Sequence, residues 1–275
     1  MRPSTRSHLA IFPELADAAA DAARADVRVL LTGESGVGKQ TLARLIHERS
    51  RGPAAPLVVV DCDEVSDSQF ESEMLDASIG GNPDAASSER WLAQARGGTI
   101  VLRSVEKMTD RKQSALFRHL DLHYGGQRGQ HSAPPDVRLI AVGCSSFLRT
   151  VETGHFRSDL FYRLNTIHLA VKPLRERRDD LPDLFDRFIH DAAGALGRTA
   201  STISTDAMRK ITAYSWPGNL RELRMVAEDL VRKPTEVIDS KILPARFLTE
   251  TAGSARPTNL RLFNPGQPRD DAQLL

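Results

Sequence analysis

Gly33-Glu34-Ser35-Gly36-Val37-Gly38-Lys39-Gln40 decides the reading of this chain. The octet follows the apolar run Val27-Arg28-Val29-Leu30-Leu31 and opens a helical pattern over Gln40–Arg49. Strand, glycine-rich loop and helix in that order form the context in which a loop cradles phosphates. Glycine lets successive backbone N–H groups turn toward one point, and the helix N-terminus adds partial positive charge. Lys39 is then placed to reach the β- and γ-phosphates. The pattern G-x-x-x-x-G-K is complete, but Gln40 stands where a Ser or Thr hydroxyl usually meets Mg²⁺. The bland alternative, an ordinary glycine turn between strand and helix, is disfavoured by that context. ATP or ADP is the expected ligand, held by Gly33, Glu34, Ser35, Gly36, Val37, Gly38, Lys39 and Gln40.

Outward from the octet the chain alternates. Short runs rich in Val, Ile and Leu predict strands at Val27–Leu31, Leu57–Asp61, Thr99–Leu102, Val137–Val142 and Thr166–Val171. Helical patterns separate them at Gln40–Arg49, Asp67–Leu75, Arg111–His119 and Arg157–Leu164. This predicts an α/β fold with a parallel sheet covered by helices. After Pro173 only helices are expected, at Leu181–Leu196, Thr205–Ala213 and Leu220–Arg232, with Ser204/Thr205 and Asn219 as N-caps. The organisation read from this is a nucleotide-binding domain over 1–172, a small helical lid over 173–248 and a disordered tail over 249–275.

Composition narrows the function classes. With 275 residues, 40% of them hydrophobic and 27% charged, the chain can bury a real core. A net charge of +1 gives no global pull toward nucleic acid or membrane. No apolar stretch has membrane-spanning length and Met1-Arg2-Pro3-Ser4 lacks a signal-peptide core, so a cytoplasmic location is the default expectation. Two cysteines, Cys62 and Cys144, make neither a disulfide framework nor a metal site; small buried apolar roles are expected. The basic residues Arg175, Arg177 and Arg178 read as a solvated link balanced by Glu176, Asp179 and Asp180.

Several blocks in fixed order carry a family resemblance: the octet, Glu71-Ser72-Glu73, Gly97-Gly98-Thr99, Phe156 to Asn165, Pro173-Leu174-Arg175-Glu176-Arg177, and Tyr214 to Leu223. Over roughly Ala10–Leu248 the chain resembles the AAA+ domain of bacterial enhancer-binding proteins, the ATPases that activate sigma-54 RNA polymerase. The resemblance implies an AAA+ P-loop NTPase fold with a helical lid. It also implies a ring of self or paralogous subunits and, as a further partner, sigma-54 RNA polymerase. Arg157 and Arg163 match arginines that reach into a neighbour's nucleotide site and stabilise charge on the γ-phosphate. Arg221 matches the lid arginine that senses the phosphate in cis.

The departures are as informative. The family's second acidic motif closes the strand after Gly-Gly-Thr with Asp-Glu, whereas this strand ends Leu102-Arg103-Ser104. The Asp normally holds Mg²⁺ and the Glu orients the attacking water, so no metal ligand and no cis catalytic residue are expected. Glu106 lies past the strand end and should point elsewhere. Cys144 replaces the polar Asn sensor. The stretch Ile79–Ala86 keeps the length of the sigma-54-gripping loop without its Phe-Thr tip, and no DNA-binding helix-turn-helix is read after the lid. The expected function is therefore a hydrolysis-impaired, nucleotide-binding regulator of transcription, without direct DNA binding, acting in a mixed ring beside an active paralogue. An active sigma-54 activator, a nucleotide-sensing adaptor unrelated to sigma-54, and a paralogue without function remain as alternatives.

Overall fold

The computed structural model describes residues 11–75, 91–124, 137–233 and 235–249. The stretch 79–88 and the tail from 250 onward lie outside them. Five strands, β1 (Val29–Gly33), β2 (Leu57–Asp61), β3 (Thr99–Arg103), β4 (Arg138–Val142) and β5 (Ile167–Val171), form one parallel sheet in the order β2-β3-β4-β1-β5. The three inner strands are buried almost throughout, while β2 and β5 at the edges are partly open. Continuous apolar runs suit strands covered on both faces. β1 starts two residues later than its apolar run and includes Thr32 and Gly33. Its pairing with β5 continues to Gly33 opposite Val171, so the sheet itself delivers the first glycine of the octet.

Alternation along β1 divides the core. Val29 and Leu31 face one cluster, and Leu30 faces the other with Val60, Ile100, Leu116 and Leu160. The first cluster passes from the sheet through Leu181 and Phe185 to Trp216, Leu223 and Phe247, so sheet and lid share one continuous apolar core. Helices α1 (Ala16–Ala25), α2 (Lys39–Ser50), α3 (Asp67–Leu75), α4 (Trp91–Gln94), α5 (Asp110–Tyr124), α6 (Phe147–Glu152) and α7 (Ser158–Leu164) accompany the sheet. The alanine-rich α1 has no counterpart among the predicted helices. Ala19, Ala22 and Ala23 are its buried face, too small to register as an apolar stripe although alanine is the strongest helix former.

The lid contains α8 (Leu181–Ala195), α9 (Thr205–Ala213), α10 (Asn219–Arg232) and α11 (Arg246–Thr249). It is not purely helical. Two short strands, β6 (Thr202–Ile203) and β7 (Val237–Ile238), pair in parallel, which two-residue runs cannot announce in a sequence. Ser204 caps α9 by accepting the Ala207 N–H at 3.2 Å. Asn219 is not an N-cap. It is the first residue of α10, with a left-handed φ of 51° and a fully buried side chain directed at the glycine loop.

The predicted solvated link is also corrected. Arg177 is buried: its Nη1 donates to the Ile11 carbonyl at 2.6 Å and its guanidinium lies 5.5 Å from the Phe12 ring centroid. Arg175 is held by Glu34 (below). A basic run with acidic neighbours looks solvated in one dimension; here two of its members tie this segment to Ile11–Phe12 and to the glycine loop.

Candidate functional site

The glycine loop and the start of α10 meet across a cleft of about 520 Å³. That volume suits a small-molecule site. Two glycines make the approach possible. Gly36 has φ +79° and a Cβ there would lie 2.3 Å from the Gly218 carbonyl oxygen; Gly38 has φ +102° and its Cβ would strike Phe12 at 2.7 Å. From the octet, Ser35, Gly36, Gly38, Lys39 and Gln40 line the cleft, joined from the lid by Arg221. Arg221 N donates to the Gly36 carbonyl at 3.3 Å and its Nη1 to Ser35 Oγ at 3.4 Å. Val37 is fully buried in the core and Gly33 closes β1, so both shape the loop from behind. Lys39 Nζ donates to the carbonyls of Gly33 and Glu34 at 2.6 and 2.8 Å. Burial pulls its ammonium below the ordinary lysine value, and the Glu106 carboxylate is the largest opposing influence.

Glu106 corrects the sequence reading. Ser104 adopts a left-handed φ of 54° and starts a 3₁₀ turn over Val105–Lys107. That turn brings Glu106 back into the cleft, where its Oε2 accepts the Cys144 N–H at 3.2 Å. Cys144 lines the same wall, partly buried against the core, with Sγ 3.2 Å from Ser146 Oγ, so it is not the fully buried apolar residue expected. Cys62 is: it is fully buried and its thiol is pushed up to about 12, chiefly by burial.

Arg103 pairs with an acid and stays partly open to solvent. The β2–β3 register sets it beside Asp61, and Nη2 lies 3.3 Å from Asp61 Oδ2. With its carboxamide oxygen facing the guanidinium, Gln40 accepts from Arg103 Nε at 2.6 Å and from Nη1 at 3.0 Å. Two departures from the usual motif, Gln40 and Arg103, are therefore direct neighbours.

A polar junction fastens the loop to the lid. Glu34 pairs with both terminal nitrogens of Arg175, with Nη1 at 2.8 Å, and this pairing holds its carboxyl below the usual carboxylate value. Asn219 Nδ2 donates to Glu34 Oε2 at 3.2 Å and to the Ser35 carbonyl at 3.0 Å, while its Oδ1 accepts the Leu174 N–H at 2.9 Å. Asparagine tolerates the left-handed backbone this requires. Asn219→Ala strands the buried Leu174 N–H and adds backbone strain, so it is expected to cost about 2–4 kcal/mol of stability. Denaturant unfolding checks this; an unchanged midpoint would mean the junction carries no stability.

Arg157 and Arg163 stand apart from the cleft and line none of it. Both guanidiniums lie over the Phe117 ring, 4.8 and 4.7 Å from its centroid. Arg157 forks onto Asp159 at 2.7 and 3.1 Å, and Arg163 pairs with Asp121. Tyr162 between them is 74% exposed, so the pair marks an open surface.

The sequence reading missed the apolar wall, made by Ile11, Phe188, Leu220 and Met225. A signal for part of it exists: Arg221, Arg224, Met225 and Glu228 all face the cleft, at the i, i+3, i+4, i+7 spacing of one helix face.

A parallel sheet of this order, a glycine loop opening α2 and a helical lid closing on that loop define an AAA+ phosphate-binding-loop module. The family model for the sigma-54 interaction domain matches residues 7–170 and that for the AAA+ ATPase lid domain matches 175–260. The chain belongs to the sigma-54 interaction domain family. It is 34% identical over 261 residues to the transcriptional regulatory protein XylR of Pseudomonas putida, covering 93% of this chain and 46% of that one. The crystal structure of NtrX from Brucella abortus in complex with ADP superposes with a TM-score of 0.71 at 30% identity, covering 90% of this chain and 56% of NtrX. NtrX in complex with ATP gives 0.69 at 31%, covering 86% and 55%. This chain thus spans about half the length of these relatives. Among the described residues no helix is long and apolar enough to cross a membrane.

Proposed function

We propose that this chain binds ATP or ADP between the glycine loop and the lid, turns ATP over weakly or not at all, and regulates transcription through protein contacts. Residues 1–172 would serve as the nucleotide-binding domain and 173–248 as the lid. The observation that carries the reading is the makeup of the cleft. Lys39 and Arg221 face it with the loop glycines, while Arg103 and Ser104 occupy the strand end from which the family's Asp and Glu act. Positioning and charge stabilisation account for nearly all of phosphoryl-transfer catalysis, so losing those groups removes most of it while leaving phosphate binding intact. Nucleotide in the NtrX structures and the regulatory role in XylR's name support the reading by kinship.

In a mixed ring, Arg157 and Arg163 act on the neighbour. Arg157→Ala or Arg163→Ala is expected to leave this chain's nucleotide affinity unchanged and to lower the ATPase rate of an active family member mixed with it. The exposed ion pairs and ring contacts they make here are worth about 1 kcal/mol or less each, so the melting temperature should fall by no more than a few degrees. A clear loss of stability with no effect on a partner assigns both arginines to holding α7 and favours the adaptor reading.

One observation favours a second reading, a working ATPase. Glu106 is a carboxylate turned into the cleft, where it could orient water. Glu106→Gln separates the two: it abolishes measurable turnover if Glu106 is the base, and changes nothing if there is no turnover to lose.

A further inference from the structure

The residues at the end of β3 do not fit the divalent cation that the family resemblance implies. Asp61 lies opposite the strand end across the β2–β3 register, its side chain is only 12% exposed, and it is already paired with Arg103. Glu106 accepts the Cys144 N–H and shares the cleft with Lys39. Gln40 stands where the family resemblance implies a Glu, and its uncharged amide oxygen is taken by the guanidinium. A dication entering here would meet Lys39, Arg103 and Arg221, three cations that line the same cleft.

We propose that Arg103 takes the place of the metal, so that the cleft accepts a metal-free nucleoside polyphosphate. The guanidinium is built into the wall: β2–β3 pairing fixes its Cα opposite Asp61, Asp61 Oδ2 holds Nη2, and Gln40 Oε1 holds Nε. Contact with Gln40, the residue after Lys39, puts the positive group at the phosphate end of the cleft. A guanidinium carries five N–H donors, and these partners leave Nη1 a second N–H for a phosphate oxygen. One arrangement thereby explains two departures at once. Gln40 is the partner that a guanidinium needs, and Arg103 is the cation that the missing carboxylate can no longer recruit.

This inference rests on the nucleotide-binding reading, and titration of the full chain with ATP distinguishes the two. Calorimetry is run in excess EDTA and in excess Mg²⁺. The expected dissociation constants agree within about threefold, because the arginine contact does not depend on the metal. Arg103→Asp should reverse this, binding at least about tenfold more weakly in EDTA than in Mg²⁺. Arg103→Lys keeps the charge but loses the fork, and should bind more weakly than wild type while staying indifferent to EDTA. A wild-type affinity that falls tenfold or more in EDTA overturns the role of Arg103 and leaves nucleotide binding standing. Absence of ATP binding in both buffers overturns both.

Discussion

Lys39→Ala is expected to lower the affinity for ATP by roughly 10- to 150-fold, the equivalent of about 1.5–3 kcal/mol for a charge-assisted bond to a desolvated phosphate. Lys39 opens α2 directly after Gly38, whose left-handed backbone only glycine adopts easily, so its side chain leaves the helix on the loop side. Its ammonium is half-buried and depressed by burial, which means the protein already bears the desolvation that a phosphate contact would otherwise impose. In the structure, Nζ satisfies itself on the Gly33 and Glu34 carbonyls at the start of the loop. Alanine removes both bonds, so a parallel melt is needed to separate a weakened loop from a lost phosphate contact. Equal affinity in wild type and variant would remove Lys39 from the site.

How much of this was legible in the sequence depends on what each residue's geometry rests upon. The octet declares itself because the loop must be glycine-rich to bring α10 within reach of Gly36, a local demand written in local residues. The bounds of α3 and α9 are read without error, and the inner strands to within two residues, because buried parallel strands need unbroken apolar runs. Glu106 is illegible. Its direction depends on Ser104 taking a left-handed backbone, a conformation that serine rarely announces. Asn219 is misread for a related reason: asparagine beside a helix start usually caps it, but here tertiary partners in the loop and at Leu174 claim the side chain. Arg177 shows the limit of charge patterning, since its partner, the Ile11 carbonyl, lies 166 positions away.

The second large effect concerns turnover. ATP hydrolysis is expected to run several orders of magnitude below that of an active family member, because both the metal-holding and the water-orienting carboxylates are absent from the end of β3. Arg103 is committed to Asp61 and Gln40, and the Ser104 backbone turns the chain away into the 3₁₀ turn that follows. Restoring one carboxylate is not expected to restore the rate. Arg103→Asp leaves Ser104 in place, and Ser104→Glu leaves the guanidinium beside the phosphates.

The central claim is binding without turnover, and the fate of bound nucleotide tests it most directly. The chain is loaded with radiolabelled ATP, freed of excess nucleotide, incubated, quenched at intervals and analysed by chromatography. The account predicts that the nucleotide recovered from the protein remains ATP throughout, in Mg²⁺ and in EDTA alike, and that Lys39→Ala retains almost none. Conversion of the bound ATP to ADP at the rate of an active relative, abolished by Glu106→Gln, would contradict it.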